Sequence, residues 1–199
     1  MGSRRITKCS VLMLLLAVPW SAPQIAQAEP EIHVERRQGV FQVRVETPVA
    51  VGVQTAWQVL TDYDRLAQYV PDMRSSRIVS GAGEPLRVRQ EGGAEFLFFT
   101  VSIEVELRIE ETPPERLTFT AVGGNMKQMH GEWRITRTGQ GILLGYEAAI
   151  EPKLWVPPLL GTSLMRRNVA RQVAGVVNEM LRRQAGGAAP SESDSRTPR

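Results

Sequence analysis

The sequence predicts an α+β fold in which a curved antiparallel β-sheet packs around a long C-terminal α-helix. Three observations carry that prediction. Near the C-terminus Met165, Val169, Val173, Val176 and Met180 fall four, four, three and four residues apart, which puts them on one stripe of a 3.6-residue helix. In the middle, Phe99, Val101, Ile103, Val105, Leu107 and Ile109 alternate with Thr100, Ser102, Glu104, Glu106, Arg108 and Glu110, so one strand has a dry face and a wet one. Glycine and proline separators recur at hairpin spacing around it.

The first 28 residues read as a signal peptide rather than as part of the fold. Arg4, Arg5 and Lys8 precede an apolar run from Val11 to Val18, and Ala26-Gln27-Ala28 forms a small-residue cleavage site. Arg4-Arg5 also bears on a twin-arginine route, but the leucine-rich core suits general secretion better. The chain carries 24 Lys plus Arg against 21 Asp plus Glu, and removing those three basic residues leaves 21 against 21. A formally neutral mature chain argues against nucleic-acid binding. The single cysteine, Cys9, lies in the removed segment, so the exported chain relies on its core without disulfides. The expected location is periplasmic or secreted.

Residues 29–39 are polar and read as a short leader strand or a loose arm, and residues 40–184 as one domain. Phe41, Val43 and Val45 alternate with Gln42, Arg44 and Glu46 in a first strand that ends near Pro48. Val53, Trp57 and Leu60 share a helical face. Asp62 stands where an N-cap would begin a second short helix, Tyr63 to Tyr69, which Pro71 ends. Strands are then expected at Ser76–Ser80, Leu86–Gln90, Phe96–Glu110, Arg116–Val122, Met129–Thr136 and Ile142–Ile150. Their separators include Gly81-Ala82-Gly83, Gly92-Gly93, Pro113-Pro114, Gly123-Gly124 and Gly139-Gln140-Gly141. Residues 185–199 turn to Ala, Gly, Pro, Ser and charge and read as a disordered tail.

The segments Ala56-Trp57-Gln58-Val59-Leu60-Thr61-Asp62-Tyr63-Asp64 and Tyr69-Val70-Pro71-Asp72-Met73 resemble the opening of the START-like superfamily. The nearer likeness is to its polyketide cyclase/dehydrase branch, which includes Coq10-like proteins. The hairpin from Gly131-Glu132-Trp133 to Gly145-Tyr146 fits the same pattern, and the resemblance spans Phe41 to Leu181. It implies the helix-grip fold and a cavity between sheet and C-terminal helix. It does not imply one activity, because lipid carriers, receptors, cyclases and interaction modules share this scaffold.

On that reading Phe99, Val101, Phe119, Trp133, Tyr146, Met165 and Val169 face the cavity, as either ligand contacts or plain core. Trp155 and Leu159, in the Pro-stiffened stretch Leu154 to Gly161, stand at its mouth, either gating a hydrophobic ligand or plugging the entrance. The expected function is carriage of a lipid or isoprenoid quinone, without a cofactor. The alternatives are a cyclase/dehydrase-like enzyme, with Tyr146 and Gln90 as its inward polar groups, and an interaction module whose pocket its own side chains fill.

Catalytic and metal constellations are thin. His33 lies in the polar arm, and His130 shares the wet face with Glu132 and Arg134. Asp62-Tyr63-Asp64 begins like a calcium loop, but Ala67 and Met73 stand where Gly and Glu are needed. Arg166, Arg167, Arg171, Arg182 and Arg183 are placed on the solvent face of the last helix. They read as a solvated surface, with transient contact to anionic headgroups as the alternative.

Overall fold

The computed structural model describes residues 30–96, 99–153 and 158–187. The predicted signal peptide lies outside these residues. The elements run β1 (Glu31–Arg37), β2 (Val40–Val49), α1 (Val53–Leu60), a 3-10 helix (Tyr63–Gln68), β3 (Met73–Ile78), β4 (Arg87–Phe96), β5 (Phe99–Thr112), β6 (Arg116–Gly124), β7 (Met126–Thr138), β8 (Gly141–Pro152) and α2 (Pro158–Gly187). Among the described residues, eight strands join one antiparallel sheet in the order β1-β2-β8-β7-β6-β5-β4-β3. Bulges between Met73 and Ser75, Glu106 and Leu107, and Met126 and Gln128 bend it.

The alternation predicted for β5 holds. Val105, Leu107 and Ile109 are buried, while Glu104 and Glu110 are exposed and Glu106 takes hydrogen bonds from Arg87 and Arg89 on the outer face. The polar leader is the edge strand β1. Gln38 and Gly39 both have positive φ, which makes the two-residue turn that folds β1 onto β2, and Ile32 and Val34 join the core side.

Gly92-Gly93, expected as a turn, lies inside β4. The Gly93 N–H donates to the Asp72 carbonyl at 2.9 Å, and a Cβ on Gly92 would sit 2.7 Å from that same oxygen. The two glycines therefore serve close approach of the chain that precedes β3, not a reversal. The second helix is 3-10, and Asp62 occupies its N-cap position without a side-chain capping bond. Its carboxylate is drawn away to Arg183, 2.6 Å distant.

α2 extends beyond the predicted Met165–Leu181 at both ends. It takes in residues 185–187, which the sequence assigned to the tail. The Gln184 side-chain oxygen accepts from the Gly52 N–H at 2.9 Å and from the Thr55 hydroxyl at 3.0 Å, tying this last turn to the start of α1. The predicted stripe is the buried one: Val169, Val173, Val176 and Met180 pack with Ala56, Val59 and Leu60 of α1 in the core. Midway along α2, Gly175 meets the segment before β3, where a Cβ would lie 2.3 Å from the Tyr69 carbonyl and 2.6 Å from Pro71 Cδ.

Gly175→Ala is expected to cost about 2 kcal/mol, because backbone and a proline ring leave the methyl nowhere to go. Gly186→Ala, with nothing within 4 Å of its Cβ position, is expected to be neutral or slightly stabilising. Urea denaturation of the two variants side by side measures the contrast.

Candidate functional site

A cavity of about 440 Å³ lies between the sheet and the N-terminal half of α2. Its sheet wall is mainly apolar, with Phe41, Ile103, Val105, Met129, Tyr146 and Ile150 beside Gln90 of β4. These positions belong to the inner faces of β2, β5, β7 and β8, brought into line by the registers Phe41–Ile150 and Met129–Ile150. The ladder between β6 and β7 ends at Thr120–His130, and the strands separate toward Asn125 at this end of the sheet. The Asn125 side chain holds the separation open by bonding the Ser102 carbonyl at 2.7 Å and the Glu104 N–H at 3.0 Å.

The wall contributed by α2 has a different character. Gly161, Leu164, Asn168 and Gln172 line it along with Met165 and Val169, and Arg167 and Arg171 stand at its border. At 3.6 residues per turn, Asn168 and Gln172 point about a quarter turn away from the Val169–Val173 stripe. Val173, Val176 and Met180 of the apolar stripe are taken up by the core, and the cavity receives Met165 and Val169 together with the polar flank.

Opposite that flank stands Asp72, with φ of 66° and its carbonyl fixed by Gly93. Asp tolerates this left-handed geometry better than most residues. Its carboxylate forms an ion pair with Arg171 at 2.5 Å, while Arg171 Nε is buried with no hydrogen-bond partner among the described residues. Arg171, assigned to the solvent face by the sequence, is therefore drawn to the cavity border by an acid that helical periodicity does not reveal.

Of the sequence-predicted contacts, Tyr146, Met165 and Val169 line the cavity. Phe119 and Trp133 flank Tyr146, with ring centroids 6.0 Å and 4.5 Å from its own. Gly131 makes room for this aromatic group, since a Cβ there would lie 2.7 Å from Phe119 Cζ. Burial pushes the Tyr146 phenol pKa above its ordinary value. The side chains of Phe99, Val101 and Leu159, and all of Trp155, lie outside the described residues. Gln90 lines the cavity as expected of an inward polar group. Phe41, Ile103, Val105, Met129 and Ile150 were not singled out, although strand alternation was signal enough. For Asp72 the sequence offered only its place after Pro71.

His33 and His130 are exposed on the opposite face of the sheet, His33 within 2.8 Å of Glu31. Among the described residues no group of three or more His, Cys, Asp or Glu is placed to hold a metal, and no helix is long and apolar enough to cross a membrane.

The C-terminal half of α2 is fixed by charge. Glu179 is buried and takes hydrogen bonds from Arg182 and Arg183, each at 2.6 Å, and Arg183 continues to Asp62 at 2.6 Å and lies over the Tyr69 ring. Arg182 and Arg183 thus belong to an ion-pair network rather than to an open basic face. The hydrogen bond from Arg182, followed by those from Arg183 and the charge of both, holds the Glu179 carboxyl down at about 2, against the opposing effect of burial.

A family model described as polyketide cyclase / dehydrase and lipid transport matches residues 49–177. Among solved structures, the chain is similar to a STAR-related lipid transfer protein from Xanthomonas axonopodis, with 13% identity and a TM-score of 0.61 over 80% of this chain and 97% of that one. It is similar to a START superfamily protein from Mycobacterium smegmatis, with 16% identity and a TM-score of 0.59 over 72% and 97%. It is also similar to the Zhui aromatase/cyclase from Streptomyces sp. R1128, with 16% identity and a TM-score of 0.58 over 72% and 95%. At these identities the likeness is one of fold. No curated protein matches the chain in sequence.

Because the Glu179 carboxyl is depressed in the folded state, its stabilising contribution is complete above the ordinary carboxylate range and declines as pH falls from about 5 toward 2. Glu179→Gln is expected to lower stability at neutral pH and to flatten its fall across that acid window. Thermal midpoints of both proteins from pH 7 to pH 2 measure this.

Proposed function

The chain belongs to the polyketide cyclase / dehydrase and lipid transport family, and from that premise we propose that it binds a hydrophobic small molecule in the cavity beneath α2. The observation that carries this reading is the largely apolar sheet wall of a 440 Å³ space. That volume lies within the range of about 300–1,000 Å³ that suits one drug-sized ligand. A single acyl chain, or the ring and first part of the tail of an isoprenoid quinone, is of that scale. Burying such a chain yields about 25 cal/mol per Å² of apolar surface, so retention needs little polar chemistry.

Carriage is favoured over catalysis by the titratable side chains at the cavity, Asp72, Arg167, Arg171 and Tyr146, since Glu91 contributes from the outer face of β4 and pairs toward Arg77. Asp72 is held in its ion pair, and the raised Tyr146 phenol stays protonated at neutral pH. Neither suits a general base. The Gln90 amide transfers no proton. An open cavity of this size also counts against an interaction module filled by its own side chains. We further propose that the chain is exported through residues 1–28 and carries its ligand in the periplasm, in transient contact with a membrane at the Trp155 stretch.

Native mass spectrometry of the protein recovered from a periplasmic fraction is expected to show an apolar adduct. Met129→Trp, which fills the sheet wall, is expected to lose the adduct while the protein stays folded by circular dichroism. A bare native mass, under conditions that keep a control carrier loaded, would sink the carriage reading. The intact mass of the same sample is expected to correspond to a chain beginning at Glu29, and an uncut N-terminus would sink the cleaved-signal reading.

A further inference from the structure

The two walls of the cavity differ in chemistry, and the difference points to one kind of ligand. The sheet wall is hydrocarbon and aromatic apart from Gln90, while the helix wall adds Asn168 and Gln172, with Arg167 and Arg171 beside them, to Leu164, Met165 and Val169. Positive charge is in excess on this border. Arg171 has one acid, Asp72, and keeps a buried Nε without a hydrogen bond. Arg167, one turn earlier, has no ion-pair or hydrogen-bond partner among the described residues. The remaining acid, Glu91, pairs across from Glu104 on the outer face of β4 and lies within 3.9 Å of Arg77. Two arginines four residues apart repel one another along a helix, so an anion between them relieves the repulsion as well as supplying acceptors.

We propose, resting on the reading of the cavity as a hydrophobic-ligand site, that the ligand is a single-chain or single-ring carboxylate amphiphile, its head held by Arg167 and Arg171 and its apolar part against Phe41, Met129, Tyr146 and Ile150. Asp72 is the built-in competitor. Its backbone is fixed against β4, so it occupies Arg171 when the cavity is empty and yields the guanidinium to an entering carboxylate. A guanidinium matches a carboxylate in its plane and donor spacing, and its hydrogen bonds to a charged acceptor are the strong kind.

The test is calorimetric titration of the mature protein with dodecanoate, dodecyl phosphate and dodecanol, each below its aggregation concentration. Dodecanoate is expected to bind about tenfold or more tightly than dodecanol, the scale of one charge-assisted hydrogen bond. Asp72→Asn, which keeps a residue tolerant of positive φ, is expected to tighten dodecanoate severalfold by freeing Arg171. The double variant Asp72→Asn/Arg171→Gln, which leaves no unpaired acid behind, is expected to erase most of the preference. Arg167→Gln gives a second reading if that variant fails to fold. Equal affinity for dodecanoate and dodecanol, or a preference untouched in the double variant and in Arg167→Gln, overturns the proposal while leaving carriage intact. Markedly tighter dodecyl phosphate overturns the carboxylate assignment. If none of the three chains binds, the carriage reading falls and this proposal with it.

Discussion

The placement of α2 depends on backbone contact at Gly175. A helix normally stands about 8–10 Å from its neighbour because side chains intervene. At Gly175 nothing intervenes, and the helix presses on the Tyr69 carbonyl and the Pro71 ring. The stripe Val169, Val173, Val176 and Met180 is thereby committed to the core beside α1, and Glu179, Arg183 and Asp62 lock the rotation of the helix from its far side. With position and rotation both set, the N-terminal half of α2 has no freedom to lay its apolar stripe across the middle of the sheet. It spans that surface instead, with Asn168 and Gln172 of its polar flank facing the space left over beside Leu164, Met165 and Val169.

The cavity is in this sense a consequence of anchoring rather than of missing side chains. Phe41 and Ile150 are already buried and Tyr146 is half-buried, so little apolar surface of this wall is left for the helix to cover by settling further. The separation of β6 from β7, pinned by Asn125, acts in the same direction from the sheet side. Site and scaffold thus share a cause, and a change in the Gly175 contact would reshape the cavity from a distance.

This division explains what the sequence could and could not reveal. Strand alternation made the dry faces of β2 and β5 readable, and the spacing of the Val169–Met180 stripe marked the closing helix, because each signal is local and periodic. Gly92-Gly93 looked like a turn because two glycines in sequence carry no mark of whether they reverse the chain or admit another backbone. Asp62 and Arg171 were misplaced for a related reason. A residue at a cap position or on a helix flank is defined by its neighbours along the chain, but these two are held by partners 121 and 99 positions away. Periodicity cannot find such pairs. It also assigned Met165 and Val169 to the cavity without the polar neighbours that share its wall, since it takes the apolar side of a helix to be the side that faces any hydrophobic space.

That last assumption matters for what the protein can hold. A cavity roofed by the apolar stripe would accept any hydrocarbon that fits, with little discrimination beyond size. A cavity whose roof sets Asn168 and Gln172 beside Leu164, Met165 and Val169 offers a guest polar partners as well, and a buried polar group left without one costs about 1–3 kcal/mol. In this chain the flank is selected by where Gly175 allows contact and where Glu179 finds its arginines. The chemistry of the cavity wall is then set by residues that do not line it.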